Sequence, residues 1–174
     1  MKKETNIDHR ISHAFADAAQ RSSVGRKLAD IAASQLLWFL GGALFFYAYV
    51  VTVRVGTFAS LAVLAPVAVS WLVTLALEYL IRRRRPFQEL AKPLAVGMLW
   101  VPPSFPSGHA TLAFSIATVF WNMGAGEWIV SAYVIAAIIS IGRVAVRAHY
   151  VTDVLAGAVV GTVITSFVLS HWML

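Results

Sequence analysis

The chain has 174 residues, of which 59% are hydrophobic and 13% charged, with no cysteine and a formal net charge of +6. A soluble domain of this size is about half apolar and about a quarter charged, so the composition excludes an ordinary water-soluble domain and points to lipid as the solvent. Without cysteine there are no disulfides, thiolate nucleophiles or cysteine-bound metals, and positive charge clustered beside apolar stretches speaks for orientation in a membrane and anionic headgroups, not for nucleic acid.

Residues 1–34 begin with basic residues but hold no apolar centre, so they are expected to stay in the mature protein and not to act as a cleaved signal. Ile7, Ile11, Phe15 and Ala18 recur at helical spacing with Asp8, Arg10, Asp17, Gln20 and Arg21 between them. Ser22, Ser23 and Gly25 interrupt the pattern, and Val24, Leu28 and Ile31 resume it. Such an amphipathic segment can lie in the membrane interface or pack as a solvated helix on the domain.

Five apolar stretches follow, at residues 35–53, 58–81, 107–123, 127–146 and 152–172. Most approach the ~20 residues needed to cross a bilayer, and the third is short for that. Pro66 inside the second predicts a kink. Residues 86–106 hold five prolines together with Phe87, Leu94, Met98, Leu99 and Trp100. They predict an irregular connection that dips against the membrane surface. Gly157 and Gly161 in the fifth stretch favour close helix packing, better within the bundle than between copies, although homo-oligomerisation is compatible with the spacing. The periodicity is helical throughout. The expected fold is all-α: a single membrane domain over residues 1–174, with an amphipathic N-terminal segment (1–34) and a bundle of about five transmembrane helices (35–174).

Five spans put the termini on opposite sides. All of the fourteen lysines and arginines except Arg54 then fall on the N-terminal side, which the positive-inside rule makes cytoplasmic. The polar clusters lie on that side too: residues 82–85, Ser107-Gly108-His109, and Arg143 with His149 and Asp153. Arginines clamp phosphate because guanidinium is permanently charged and forks onto its oxygens. Ser107 and Gly108 sit where a helix begins, with amides and dipole facing an anion. His149 and Asp153, four apart, allow Asp153 to hold one imidazole nitrogen and free the other for attack. His109 is a second imidazole, suited to protonate a leaving oxygen. Taken singly, each cluster has a structural explanation: a stop-transfer run, a turn, a helix cap, a snorkelling arginine. Their convergence on one face of a membrane protein favours function. His9, His13 and His171 are given no role, no metal-ligand spacing appears, and no cofactor is expected.

These motifs resemble the type 2 phosphatidate phosphatase superfamily of membrane lipid phosphatases. That family shows a lysine with Arg-Pro seven residues on, then Pro-Ser-Gly-His, then Ser-Arg followed by His and Asp at fixed spacing. Arg85-Pro86 matches the end of the first motif, Pro106-Ser107-Gly108-His109 the whole second, and Arg143, His149 and Asp153 the third. The resemblance covers residues 78–161, about half the chain, and is greatest to short bacterial undecaprenyl-diphosphatases of the bacitracin-resistance type. Two positions depart. Glu78 stands where the family has lysine, which leaves Glu78 to orient Arg82 or Arg85, and Arg82, Arg83 or Arg84 to supply the missing charge. Gly142 replaces the serine before Arg143, at the loss of a hydroxyl contact to phosphate. The resemblance implies metal-independent hydrolysis with His149 as nucleophile, Asp153 orienting it, His109 as acid and then base, and Arg85, Arg143, Ser107 and Gly108 holding phosphate. The implied substrate is undecaprenyl diphosphate, acted on at the outer face of the cytoplasmic membrane, whereas the charge bias puts the site inside. Phosphatidylglycerophosphate, phosphatidate or a polyprenyl phosphosugar fit the same site, and a non-catalytic lipid-binding protein is the alternative of another class.

Overall fold

A computed structural model describes residues 7–89 and 102–172. The N-terminal amphipathic pattern forms α1 (Ile7–Gln20) and α2 (Ser23–Asp30), separated where the Ser22 hydroxyl accepts from the Gly25 amide and caps α2. A π-helical turn, Ile31–Gln35, leads into α3 (Leu36–Val55). Gly56 turns the chain into α4 (Thr57–Ile81), with Pro66 buried inside it, and the apolar runs beyond form α5 (Gly108–Asn122), α6 (Trp128–Ala145) and α7 (Val151–Trp172). The middle of the 86–106 connection, with Lys92, Pro93, Leu94, Met98, Leu99 and Trp100, lies outside the described residues, as do Lys2 and Lys3.

The expected all-α membrane bundle is present, with one difference. Four helical segments among the described residues, containing α3, α4, α6 and α7, are long and apolar enough to cross a membrane. The third apolar stretch is not among them. At 15 residues, α5 rises about 22 Å, and it is buried on nearly every side by its neighbours. A helix enclosed by others has no lipid-facing stripe of its own.

The bundle is apolar outside and built of small or hydroxyl side chains inside. Trp38 and Phe58 are 83% and 87% exposed, whereas Ala113, Ala117, Ala132, Ala136, Ser70, Thr111, Ser115 and Thr165 are buried. Lipid is as apolar as leucine, so close packing and interhelical hydrogen bonds hold such a bundle together. The Thr165 hydroxyl pairs with Ser70 at 3.0 Å and Ser115 at 2.8 Å, and Thr74 donates to Thr111 at 3.1 Å. Each such bond is worth about 0.6 kcal/mol in a membrane; together they tie α4, α5 and α7. Gly157 and Gly161 serve this packing. A Cβ on Gly157 would stand 2.5 Å from the Ser107 carbonyl oxygen, and one on Gly161 would collide with the Thr111 carbonyl.

The amphipathic segment is docked polar face inward. In α1 the buried Ser12 and Ala16 face the bundle, while Ile7, Ile11 and Phe15 are exposed at 70%, 53% and 42%. A solvated helix packed on the domain would bury that apolar stripe. Turning it outward is the arrangement of a helix lying in the membrane interface.

Candidate active site

The C-terminal ends of α4 and α6 meet the N-terminal ends of α5 and α7 at one end of the bundle. Each of α4 and α6 is followed by an arginine in the left-handed backbone region, Arg82 at φ 49° directly after α4 and Arg147 at φ 58° one residue beyond the Val146 cap of α6. Such a conformation costs an L-residue about 1–2 kcal/mol. It reverses the chain at once and brings the residues that follow back over the helix ends. The Ser107 hydroxyl caps α5, and the Ser107 amide donates to the Asp153 carbonyl at 2.9 Å. The second and third motifs are thereby joined through backbone.

Arg85 is 8% exposed and nearly saturated. Its Nε donates to the Pro102 carbonyl at 2.8 Å, Nη2 to the Pro103 carbonyl at 3.1 Å, and Nη1 to the Ala148 carbonyl at 3.3 Å, with the His149 Nε2 also 3.3 Å from Nη1. Arg85 therefore clamps the 102–104 strand of chain against the loop that carries His149. His149 is 1% exposed, and its Nδ1 lies 2.7 Å from the Ser104 carbonyl oxygen. A carbonyl only accepts, so Nδ1 carries the proton and Nε2 holds the lone pair, which accepts from Arg85 Nη1 at 3.3 Å. Burial pushes this imidazole down to about 4; Asp153 pulls the other way but is outweighed with the help of the Arg85 and Arg143 charges. At neutral pH His149 is an unprotonated base.

Asp153 does not hold the imidazole directly, contrary to the expectation from the four-residue spacing. Its Oδ2 is 3.8 Å from His149 Nδ1, beyond hydrogen-bond reach. Oδ2 instead accepts from the Tyr150 amide at 2.9 Å, and Oδ1 accepts from Arg83 Nη1 at 2.6 Å. The Ser104 carbonyl takes the place assigned to the carboxylate, and Asp153, fully buried, supplies a fixed negative charge behind the ring.

Of the four consecutive arginines, Arg83 and Arg85 reach the site. Arg82 turns back onto Tyr79, donating to its carbonyl at 3.0 Å and lying over its ring, and Arg84 is exposed and offers its backbone carbonyl to the Ser104 hydroxyl. Arg82 and Arg84 are thus not the accessory cations of this geometry; Arg83 is the one engaged. Glu78 is buried; its backbone carbonyl accepts from the Arg82 amide at 3.1 Å, but its carboxylate has no hydrogen bond or ion pair to Arg82 or Arg85 among the described residues. Neither the Ser104 carbonyl nor the pairing of Arg83 has a signature in the sequence, because both are contacts between residues far apart in the chain.

His109 stands half-buried in the first turn of α5, where burial and the charges of Arg143 and Arg85 disfavour its protonated form. Ser107 and Gly108 begin that turn, whose first amides have no intrahelical acceptor. Gly108 also makes room for Trp71, whose ring would lie 2.7 Å from an added Cβ. Arg143 donates to the Ala33 carbonyl at 3.3 Å, and its buried Nε has no hydrogen-bond partner among the described residues. That donor suits an oxygen-rich ligand. Gly142 has a steric reason: a Cβ there would stand 2.6 Å from the Ala33 amide nitrogen and 2.8 Å from Ala32. The π-helical turn occupies the space a serine would need. No three His, Cys, Asp or Glu side chains gather to hold a metal ion among the described residues.

Two outcomes follow from this geometry. Gly142→Ser, which restores the family residue, should lower stability by about 1–3 kcal/mol through overpacking, measured as a drop in thermal midpoint in detergent; an unchanged midpoint would mean that the turn yields freely. Protonation of His149 removes the lone pair on Nε2. The acid limb of kcat/KM for any reaction that uses this lone pair should therefore have its midpoint near pH 4. A midpoint near 6.5 would mean that the imidazole is solvated, not buried.

Known proteins share this architecture. The PAP2 superfamily matches residues 59–173. A lipid A 1-phosphatase of Porphyromonas gingivalis is 34% identical over 73 residues, which are 40% of this chain and 16% of that protein, so the chain spans about a sixth of that relative's length. The crystal structure of a transmembrane PAP2 type phosphatidylglycerolphosphate phosphatase from Bacillus subtilis is similar over 98% of this chain and 88% of that one, at 25% identity and a TM-score of 0.65. LpxE of Aquifex aeolicus is similar over 98% and 99% of the two chains, at 18% identity and a TM-score of 0.69, a likeness of fold. With its three motifs brought to one end of a multi-pass helical bundle, the chain belongs to the PAP2 superfamily.

Proposed function

We propose that the chain is a membrane lipid phosphatase that works through a phosphohistidine. The observation that carries this reading is the His149 tautomer: Nδ1–H bonded to the Ser104 carbonyl, with a neutral Nε2 beside Arg85. Nε2 attacks phosphorus and the bond to the lipid oxygen breaks; His109 takes up a proton once the negative phosphate offsets the Arg85 and Arg143 charges, and delivers it to that oxygen. Water then attacks the phosphohistidine, His109 takes its proton, and inorganic phosphate leaves with His149 restored. Arg143 and the first amides of α5 at Gly108 and His109 stabilise the equatorial oxygens, and Arg85 adds its charge, in a reaction where positioning and charge do most of the work. Asp153 stabilises the ring as it becomes positive. None of these steps calls on a metal ion.

The lipid class is supported by the surroundings. The site lies at one end of the bundle, close to an apolar cleft of about 280 Å³ lined by Phe15, Phe114, Val144, Val151, Val154 and Leu155. Undecaprenyl diphosphate is the substrate put forward by the motif resemblance. Phosphatidylglycerophosphate is the second reading. It is favoured by the likeness to the Bacillus subtilis phosphatase over nearly the whole chain and by the arginine and lysine bias that makes this face cytoplasmic.

Purified protein in detergent with EDTA should release phosphate from at least one of undecaprenyl diphosphate, phosphatidylglycerophosphate and phosphatidate. His149→Ala should reduce the rate by about 10³-fold or more, as loss of a nucleophile does. The preferred lipid decides between the two substrate readings. No release from any of them, or full activity of the variant, would refute the phosphohistidine route.

A further inference from the structure

The α1 helix makes contacts that neither the fold nor the proposed chemistry requires of it. Asp8 Oδ2 accepts from Arg83 Nη2 at 2.7 Å, while Arg83 Nη1 donates to Asp153 Oδ1 at 2.6 Å. One guanidinium thus joins a carboxylate of the N-terminal helix to the carboxylate behind His149. The Thr152 hydroxyl completes the ring, accepting from Arg83 at 2.7 Å and donating to Asp8 at 2.5 Å. Arg83 also lies over the Tyr150 ring, 4.0 Å from its centroid, and His9 of α1 stacks on the same ring at 4.3 Å.

The same helix supplies the start of α7. A helix leaves its first amides without acceptors inside the helix. Here the Val151 amide donates to the Ser12 hydroxyl at 3.0 Å and the Thr152 amide to Asp8 Oδ1 at 3.2 Å. The first turn of α7, which carries Asp153, is therefore capped from a segment about 140 residues away in the chain. Capping by a carboxylate also suits the positive end of the helix dipole. Burial raises the Asp8 carboxyl, but the hydrogen bonds from Thr152 and Arg83 outweigh it and hold it below the usual carboxylate range. Asp8 is thus charged at neutral pH.

We propose that Asp8 is a positioning residue for the phosphatase reaction, acting through Arg83 to fix the Asp153 carboxylate behind His149. The inference rests on the phosphatase reading. It makes the amphipathic N-terminal helix part of the catalytic apparatus, since the helix that presents Ile7, Ile11 and Phe15 outward also holds the end of α7 in place.

A double-mutant cycle tests it, using the full-length protein in lipid-containing micelles and the best substrate of the panel above. Asp8→Ala should lower kcat by about tenfold, the scale on which groups that orient a reacting side chain act, with KM little changed. Arg83→Ala should lower kcat at least as far, and the double variant should be no slower than Arg83→Ala alone, because the two act on one path. Asp8→Glu should recover most of the rate. Asp17, which pairs with Arg147 elsewhere on α1, is the control for docking alone, and Asp17→Asn should leave kcat unchanged. If Asp8→Ala does not fold, Asp8→Asn, of the same shape, takes its place with the same expected loss. An unchanged kcat for Asp8→Ala or Asp8→Asn, multiplying losses in the double variant, or an equal loss in Asp17→Asn would overturn the proposal while wild-type activity stands. Inactive wild-type protein would overturn the phosphatase reading and this inference with it.

Discussion

The hydrogen bond from His149 Nδ1 to the Ser104 carbonyl sets the tautomer of a buried imidazole, and the organisation of this end of the bundle is directed at making it. Ser104 is held in turn at both its polar groups, its amide donating to the Arg83 carbonyl and its hydroxyl to the Arg84 carbonyl. Arg85 ties the preceding carbonyls of Pro102 and Pro103 to the His149 loop. The acceptor for the imidazole is thus a backbone atom that no side-chain substitution removes, and the arginine of the first motif acts as a structural clamp as well as a source of charge.

A membrane imposes the rest. With no water along the spans, polar groups must find partners inside the bundle, and lipid gives no hydrophobic drive for helix association. The chain meets both demands with small residues. Gly157 and Gly161 let α7 approach α5, Gly142 lets α6 approach the π-helical turn, and buried Ser and Thr hydroxyls bond across the gaps. Close packing gathers four helix ends tightly enough that residues from α4, α5, α6 and α7 meet. The N-terminal helix closes the assembly with its polar face and leaves its apolar face outward.

Much of this was legible in the sequence. The apolar runs mark α3 to α7 within a residue or two, Ser22 and Gly25 mark the break between α1 and α2, and helix ends carrying Ser107, Arg143 and His149 indicate one polar face. The remainder depends on long-range geometry. The shortness of the third apolar stretch hints that α5 is not a lipid-facing span, but its enclosure by the other helices is visible only in the packing. The left-handed turns at Arg82 and Arg147 occur without glycine, so turn chemistry does not flag them. The four-residue spacing of His149 and Asp153 is compatible with a direct contact, but the loop geometry puts the Ser104 carbonyl nearer. Arg83 is indistinguishable from Arg82 and Arg84 until the chain reversal after α4 selects it. Gly142 reads as a lost hydroxyl in sequence and as room for a neighbouring turn in the structure.

The most direct test of the central claim is the isomer of the phosphorylated histidine. Wild-type protein and a His109→Ala variant would be mixed with substrate labelled in the transferred phosphoryl group, quenched in alkali within the first turnover, and the phosphorylated residue identified. Label on His149 at Nε2, accumulating when His109 is absent, is the predicted result, because Nδ1 is occupied by the Ser104 carbonyl. Label on Nδ1, on another residue, or on none while turnover proceeds would contradict the account.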